Sequence, residues 1–247
     1  MDCRLAIAWP LTDEHIWTKF LLSWTLMEKP EFYTLLTPQF YGHIDEVRSG
    51  LAMQAIGEKV DYMLMMDTDQ TFPEDTIPKM LQWMDDGYTM VGAVVHRRYP
   101  PFDAILYRGR LTQYHHVPDD EIYSGELIEV DATGGGCFIV NVNKVVDAIG
   151  VSGWFKLVQG PTGKPVGEDI YFCNKLRDAG VKIYIDTSIQ CGHKATMEVN
   201  SGTYYLYKKL KGYEWNKDTD DPNYVEDLAK SKGEIQLNLF DQQSLAV

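Results

Sequence analysis

The residues best suited to chemistry are two aspartates at the end of a short apolar run. Asp67 and Asp69 follow five apolar residues, Tyr62 to Met66, a stretch too short for a helix of its own. Such a run indicates a strand buried on both faces of a sheet that helices cover. Ligands bind beyond strand ends in open α/β sheets, and paired carboxylates there suit Mg²⁺ or Mn²⁺ together with substrate phosphates. The alternative is a solvated acidic turn that leads into the next helix.

Two further groups of candidate residues lie next to predicted strands. His96-Arg97-Arg98 ends a strand predicted over 88–95, where its positive charges are suited to neutralise phosphate. Gly134-Gly135-Gly136 precedes a strand predicted from Cys137, and adjacent glycines allow the backbone to approach a sugar or a diphosphate closely. A surface role for the basic residues and a plain turn for the glycines are the simpler alternatives.

Alternating strands and helices must position these groups. The hydrophobic periodicity predicts strands over 3–9, 32–36, 62–66, 88–95, 137–140 and 181–185. It predicts helices over 17–24, 43–56, between Asp75 and Gly87, over 144–149, and from Glu168 to a stop at Gly180. This alternation favours an α/β fold with a mostly parallel, Rossmann-like sheet and helices on both faces. The polar stretch 100–129 is interpreted as a mobile or hairpin-bearing insertion outside the core.

Composition and charge narrow the class of protein. The net charge of −13 argues against broad binding to the phosphate backbone of nucleic acid, which needs a positive surface. The four cysteines are scattered and indicate buried, reduced thiols rather than a disulfide framework or a zinc site. No signal peptide and no unbroken apolar run of ~18 residues is found. We therefore expect a soluble protein of the cytoplasm, or of the host cytoplasm if it is viral.

In this order, the motifs resemble those of GT-A fold nucleotide-sugar glycosyltransferases, and those of glycosyltransferase family 2 most closely. Pro10-Leu11-Thr12-Asp13-Glu14 falls where that family has Pro-Thr-Tyr-Asn-Glu, with departures at 11, 12 and 13. Arg48 resembles the arginine of the family's Ala-Arg-Asn stretch, and Asp67-Thr68-Asp69 resembles its DxD motif. Gly167-Glu168-Asp169 resembles the head of its Glu-Asp helix. The likeness spans about residues 3 to 194.

The resemblance implies a nucleotide-diphospho-sugar donor, UDP-linked by expectation, and a divalent Mn²⁺ or Mg²⁺ ion. Asp69 is the expected direct metal ligand, and Asp67 is expected to reach the ribose, or the metal through water. His193 occupies the place where many GT-A enzymes carry a histidine that contacts the metal or the phosphates. The other residues expected on the donor side are Pro10, Thr12, Glu14, Arg48, Arg97 and Gly135.

On the acceptor side, the resemblance assigns the chemistry to the Glu-Asp pair. Asp169 is the expected general base of an inverting transfer, held ionised by the start of its helix, and Glu168 is expected to bind acceptor hydroxyls. The alternative for both is helix capping. The acceptor expected from the family is a saccharide or a lipid-linked hydroxyl, with a protein or a modified nucleobase as alternatives. A retaining transferase, a nucleotidyltransferase and a non-catalytic sugar-binding protein remain the competing functions.

The resemblance also suggests how the chain is organised. Residues 1–195 are expected to form the glycosyltransferase domain, with 1–99 binding the nucleotide sugar and the metal, and with 100–195 on the acceptor side. Residues 196–247 form a predicted C-terminal extension, rich in Tyr, Lys and Asp at its start. We expect this extension to lie on the surface or to mediate contact between copies of the chain.

Overall fold

A computed structural model describes residues 4–110, 113–160, 163–197 and 199–211. The chain divides into two compact units, the first ending at Ala195 and the second beginning at Thr196. The strands of the first unit are, in chain order, β1 (Leu5–Ala8), β2 (Thr34–Leu36), β3 (Tyr62–Met66), β4 (Gln70–Thr71), β5 (Met90–Val94), β6 (Leu106–Arg108), β7 (His115–His116), β8 (Leu127–Val130), β9 (Ala132–Thr133), β10 (Cys137–Asn141), β11 (Val158–Gln159), β12 (Pro165–Val166), β13 (Ile183–Gln190) and β14 (Gly192–His193). Its helices are α1 (Thr18–Leu26), α2 (Ile44–Gly57), α3 (Thr76–Asp85), α4 (Asp119–Ile122), α5 (Val142–Ile149) and α6 (Glu168–Asp178).

A central seven-stranded sheet organises the first unit, in the order β2-β1-β3-β10-β5-β13-β8. β1 runs parallel to both β2 and β3, and β13 runs parallel to β5. β10 is antiparallel to its neighbours β3 and β5, and β8 is antiparallel to β13 at the edge. Five strands therefore point one way and two the other. The predicted α/β fold with a mainly parallel sheet is confirmed.

Two hydrophobic layers cover the sheet because successive side chains of a strand point to opposite faces. Met63 and Met65 of β3 pack into one core, which also contains buried residues of α2, α5 and α6. Leu64 and Met66 pack into the other core, with buried residues of α1 and α3. The apolar run before Asp67 is thus buried on both faces, as its composition predicts. The first polar side chain after this run, that of Asp67, therefore lies where the strand ends.

The stretch 100–129 contributes more to the core than expected. β6 pairs with both β7 and β9, and β8 joins the central sheet beside β13. Leu106, Val117 and Ile122 are buried in the same core as α2. The interpretation of this stretch as an insertion outside the core is wrong for these residues, because long-range pairing buries apolar positions too sparse to show a periodic pattern. Positions 111 and 112 lie outside the described residues.

The second unit is described only as far as residue 211. It contains helix α7 (Ser201–Lys211). Most of the predicted C-terminal extension, 212–247, lies outside the described residues, and its proposed role in contact between copies stays a prediction. Within the described ranges, no helix is long and apolar enough to cross a membrane.

Candidate active site

The turn that follows β3 builds one side of the site. The Asp67 amide donates to the Gly136 carbonyl at 2.9 Å, which extends the pairing of β3 with β10 by one residue. The Gln70 amide donates to the Asp67 carbonyl at 3.3 Å and closes a turn over Thr68 and Asp69. β4 then pairs with β14, so that Gln70 lies opposite His193. This pairing brings His193 next to a turn that lies 124 positions away in sequence.

Asp69 and His193 form a polar cluster at this strand end. His193 Nε2 lies 3.3 Å from Asp69 Oδ2, and its Nδ1 lies 2.6 Å from the His96 carbonyl, to which it donates. Arg98 Nη1 donates to the same Asp69 oxygen at 2.9 Å. The Asp69 and His193 side chains keep 22% and 14% of their surface exposed, so a ligand can reach both.

The charges in this cluster set its protonation. Burial alone would raise the pKa of Asp69, but hydrogen bonding to His193 and the charges of His193 and Arg98 outweigh it and lower the pKa. Burial alone would lower the pKa of His193, but its hydrogen bonds to Asp69 and to the His96 carbonyl raise it above its usual value. Asp69 is therefore ionised, and the imidazole is held in a fixed orientation at both nitrogens.

Arg48 is the centre of a second polar cluster, which is more deeply buried than the first. Its side chain is only 3% exposed, and Nη2 donates to both Asp67 oxygens at 2.7 and 2.9 Å. Nη1 donates to the Gly135 carbonyl at 2.7 Å, and Nε lies 3.1 Å from Glu168 Oε1. Burial raises the pKa of Asp67 despite the opposing charge of Arg48. The guanidinium is thus held by Asp67, Gly135 and Glu168. The expected contact between Arg48 and the nucleotide stays a prediction.

Close contacts with protein side chains explain why residues 134–136 are glycines. A Cβ at Gly135 would lie 2.9 Å from Arg48 Cζ, and a Cβ at Gly136 would overlap the amide of Gln70. A Cβ at Gly134 would lie 3.1 Å from Ile105 Cδ1. The close approaches that require glycine are therefore internal.

Gln70 is 1% exposed, and neither polar atom of its amide has a hydrogen-bond partner among the described residues.

The Glu-Asp pair of α6 reaches the same stretch from the other side. Asp169 Oδ2 accepts a hydrogen bond from the Gly135 amide at 3.1 Å, and Oδ1 accepts one from the Ile170 amide at 2.7 Å. Arg48 thus holds the Gly135 carbonyl while Asp169 holds the Gly135 amide. Burial raises the pKa of Asp169 and of Glu168, and the charge of Asp169 adds to the rise at Glu168. Desolvation therefore outweighs the hydrogen bonds to the Asp169 carboxylate, so the helix start does not by itself set its pKa. That Asp169 is held ionised stays a prediction.

The remaining predicted residues lie in different surroundings. Pro10 is buried, whereas Thr12 and Glu14 are exposed on the loop after β1. Arg97 pairs with Asp103, with 3.3 Å between Nε and Oδ1, and also donates to the Tyr107 hydroxyl. It is therefore tied into its own hairpin and does not join the Asp69 cluster. Contact of these residues with a nucleotide stays a prediction.

Of the three expected metal ligands, the structure brings two together. Asp69 and His193 converge, while both oxygens of Asp67 are taken by Arg48. Within the described part of the chain, no group of three or more His, Cys, Asp or Glu side chains is arranged to hold a metal ion. Gln70 is the site residue that the sequence did not single out, because a glutamine after an acidic turn resembles an ordinary surface residue.

Comparison with known proteins supports the fold. Neither a family model nor a curated protein matches this sequence. A crystal structure of GalNAc-T7 with UDP, GalNAc and Mn²⁺ is similar, with a TM-score of 0.52 and 13% identity. The similarity covers 87% of this chain and 48% of that one, so the present chain spans about half the length of GalNAc-T7.

Two further solved structures are more distantly similar. A197 from STIV has a TM-score of 0.49 and 15% identity over 79% of this chain and 86% of its own. S. aureus TarS 1–349 in complex with UDP-GlcNAc has a TM-score of 0.48 and 12% identity over 81% of this chain and 60% of its own. The likeness to GalNAc-T7 supports a GT-A fold, and the assignment to glycosyltransferase family 2 is not confirmed.

Proposed function

We propose that this chain is a metal-dependent glycosyltransferase that takes its sugar from a nucleotide-diphospho-sugar, with UDP as the nucleotide. The observation that carries the proposal is the convergence of Asp69 and His193 at the end of β3. The pair lies just beyond the end of β3, and open α/β sheets bind ligands beyond their strand ends. GalNAc-T7, which has a similar fold, was crystallised with UDP, GalNAc and Mn²⁺.

The donor set fits a divalent ion of the Mn²⁺ type. A carboxylate and an imidazole are a mixed oxygen and nitrogen pair, which Mn²⁺ accepts. The hydrogen bond from His193 Nδ1 to the His96 carbonyl fixes the orientation of the ring, as a carbonyl partner does for many metal-bound histidines. Two protein ligands leave coordination positions for the two phosphates of a donor and for water. When bound, the ion would act as a Lewis acid that stabilises charge on the departing diphosphate.

The acceptor side of the proposal rests on Asp169. A base for an acceptor hydroxyl needs a pKa nearer neutrality than a free carboxylate has, and burial raises the Asp169 pKa in that direction. The Gly135 amide keeps Oδ2 in a fixed place, and Glu168 lies beside it to bind acceptor hydroxyls. Asp169 would then take the hydroxyl proton as the acceptor oxygen attacks the sugar, which gives inversion at the anomeric carbon.

Arg48 would position both halves of this site. It holds Asp67 on the donor side, and through Gly135 and Glu168 it holds the carboxylates on the acceptor side. Asp67 keeps 21% of its side-chain surface exposed, so it can still meet the ribose or a metal-bound water. The division of the first unit into a donor half, 1–99, and an acceptor half, 100–195, is likewise proposed, with His193 reaching the donor side from the second half.

A donor hydrolysis screen tests the function without knowledge of the acceptor. Purified protein is incubated with a panel of UDP-, GDP-, ADP- and TDP-sugars in Mn²⁺ or in EDTA, and the released nucleotide is measured. We expect Mn²⁺-dependent release of UDP from one donor and a loss of ~10²–10⁴ in turnover for Asp169→Asn. NMR of the product sugar should show the inverted anomer first. Absence of release from every donor in Mn²⁺ would contradict the proposal, and retention of configuration would contradict the role of Asp169.

A further inference from the structure

Arg98 occupies the side of Asp69 that a metal ion would need. Arg98 Nη1 lies 2.9 Å from Asp69 Oδ2, and His193 Nε2 lies 3.3 Å from that same oxygen. An ion bound between the oxygen and the imidazole would lie within a few ångströms of the guanidinium. Two cations at that separation repel strongly in a partly buried site. The guanidinium and the metal ion therefore compete for one carboxylate.

Unlike Arg97, Arg98 can move away from its partner Asp69 without breaking other side-chain hydrogen bonds among the described residues. Its side chain is 49% exposed, and Asp69 is its one hydrogen-bond partner within the described ranges. Arg97 is instead tied to Asp103 and Tyr107. The backbone beneath both residues is fixed, because the Arg97 amide donates to the Asp103 carbonyl at 3.0 Å and the hairpin closes through a bridge at its base. A change of Arg98 rotamer is thus sufficient to release Asp69.

We infer that Arg98 pairs with Asp69 only until the metal ion binds. It then exchanges this partner for the diphosphate of the donor. This inference rests on the proposed function, since it needs a metal and a diphosphate at this site. A guanidinium displaced from a carboxylate finds an equivalent partner in a phosphate, which it can bind through two parallel hydrogen bonds. The exchange keeps Asp69 paired with a cation before the donor arrives and adds a phosphate contact afterwards. Arg98 is then a donor-binding residue whose bound position differs from its resting one.

The exchange predicts opposite effects on the affinities for metal and nucleotide. Mn²⁺ alone is titrated into the full chain, and free Mn²⁺ is followed by its EPR signal; UDP is then titrated at saturating Mn²⁺ by calorimetry. Arg98→Gln removes the competing charge, so Mn²⁺ alone should bind several-fold tighter than in wild type, in line with an exposed ion pair. UDP should bind about tenfold more weakly, because a charge-assisted contact is lost. Arg98→Lys should have affinities for Mn²⁺ and for UDP that lie between those of wild type and Arg98→Gln.

Arg110→Gln is the matched control, because it also removes an exposed arginine that pairs with an aspartate, Asp178. It should leave both affinities at their wild-type values. An Arg98→Gln variant that binds Mn²⁺ no tighter than wild type, or UDP no more weakly, would overturn the exchange while leaving the metal-dependent donor site in place. Failure of the wild type to bind UDP in Mn²⁺ would instead remove the proposed function and the exchange with it.

Discussion

Replacing Arg48 by methionine tests how the site is held together. The guanidinium contacts Asp67, Gly135 and Glu168, and the whole side chain is only 3% exposed. Methionine is similar in length to the arginine stem and fills irregular space, so the change removes the cation and limits the cavity. The carboxylates keep their burial and lose the charge that offsets it. We therefore expect Arg48→Met to destabilise the fold far more than loss of a surface arginine.

The contacts set the expected size of this effect. Arg48 makes charge-assisted hydrogen bonds of 2.7 and 2.9 Å to Asp67 and lies 3.1 Å from Glu168. Breaking a buried pair by removing one partner costs about 3–5 kcal/mol of unfolding free energy. Arg110 and Asp178 form the comparison pair, with side chains 71% and 67% exposed. Such exposed pairs contribute about 0–1 kcal/mol to the free energy of unfolding.

Urea unfolding followed by circular dichroism measures this difference. Wild type, Arg48→Met and Arg110→Met are compared at pH 7 and pH 5. Arg48 lowers the pKa of Asp67 and of Glu168, so without it both pKa values rise further. The two carboxyl groups then take up protons as the pH falls, and the deficit of Arg48→Met should shrink at pH 5. A loss no larger than that of Arg110→Met, or a deficit equal at both pH values, would refute the reasoning.

Further substitutions test the packing around Gly135, the pKa of Asp169 and the burial of the cysteines. Gly135→Ala would place its Cβ 2.9 Å from the buried guanidinium carbon and should cost about 1–3 kcal/mol in urea unfolding. Gly50→Ala, whose Cβ would meet nothing within 4 Å beyond its chain neighbours and its own helix backbone, should instead stabilise α2 by up to about 1 kcal/mol; equal effects would contradict this. Because the Asp169 pKa is raised, its contribution to stability is present below the ordinary carboxyl pKa and is lost as the pH rises through the raised value. Asp169→Asn should therefore gain stability relative to wild type between pH 4 and pH 8, and a parallel pH dependence of the two proteins would argue against it. Burial raises the pKa of Cys173 to about 12, and the described cysteines are all buried, so a Cys3→Ser variant should react with a thiol reagent only on unfolding; rapid labelling of the native protein would contradict this.

The sequence predicts those parts of the structure that depend on local patterns. The bounds of β3 agree with the predicted run Tyr62–Met66, because an apolar stretch ended by a carboxylate defines a buried strand at both ends. α6 begins at Glu168 for a similar reason, since acidic residues in its first turn match the helix dipole. The order of such elements was sufficient to predict the fold class.

Features set by long-range contacts could not be predicted in this way. Nothing local in the sequence shows that Arg48 is buried against Asp67 and Gly135, because an arginine in the first half of a helix is usually exposed. The triple glycine suggested room for a ligand, whereas it makes room for Arg48 and Gln70. The pKa of Asp169 depends on desolvation by the assembled site, which a motif does not reveal. The reversal of β10 within the sheet is likewise a matter of pairing and not of composition.

Asp69 and His193 are proposed to form a metal-dependent site for a nucleoside diphosphate. The most direct measurement is calorimetric titration of UDP into the protein at saturating Mn²⁺ and in EDTA, for wild type, Asp69→Ala and His193→Ala. We expect the wild type to bind UDP only with Mn²⁺ present, and both variants to bind it at least about tenfold more weakly, as for loss of a charged contact. No UDP binding by the wild type in Mn²⁺, or equal binding by wild type and Asp69→Ala, would contradict the account.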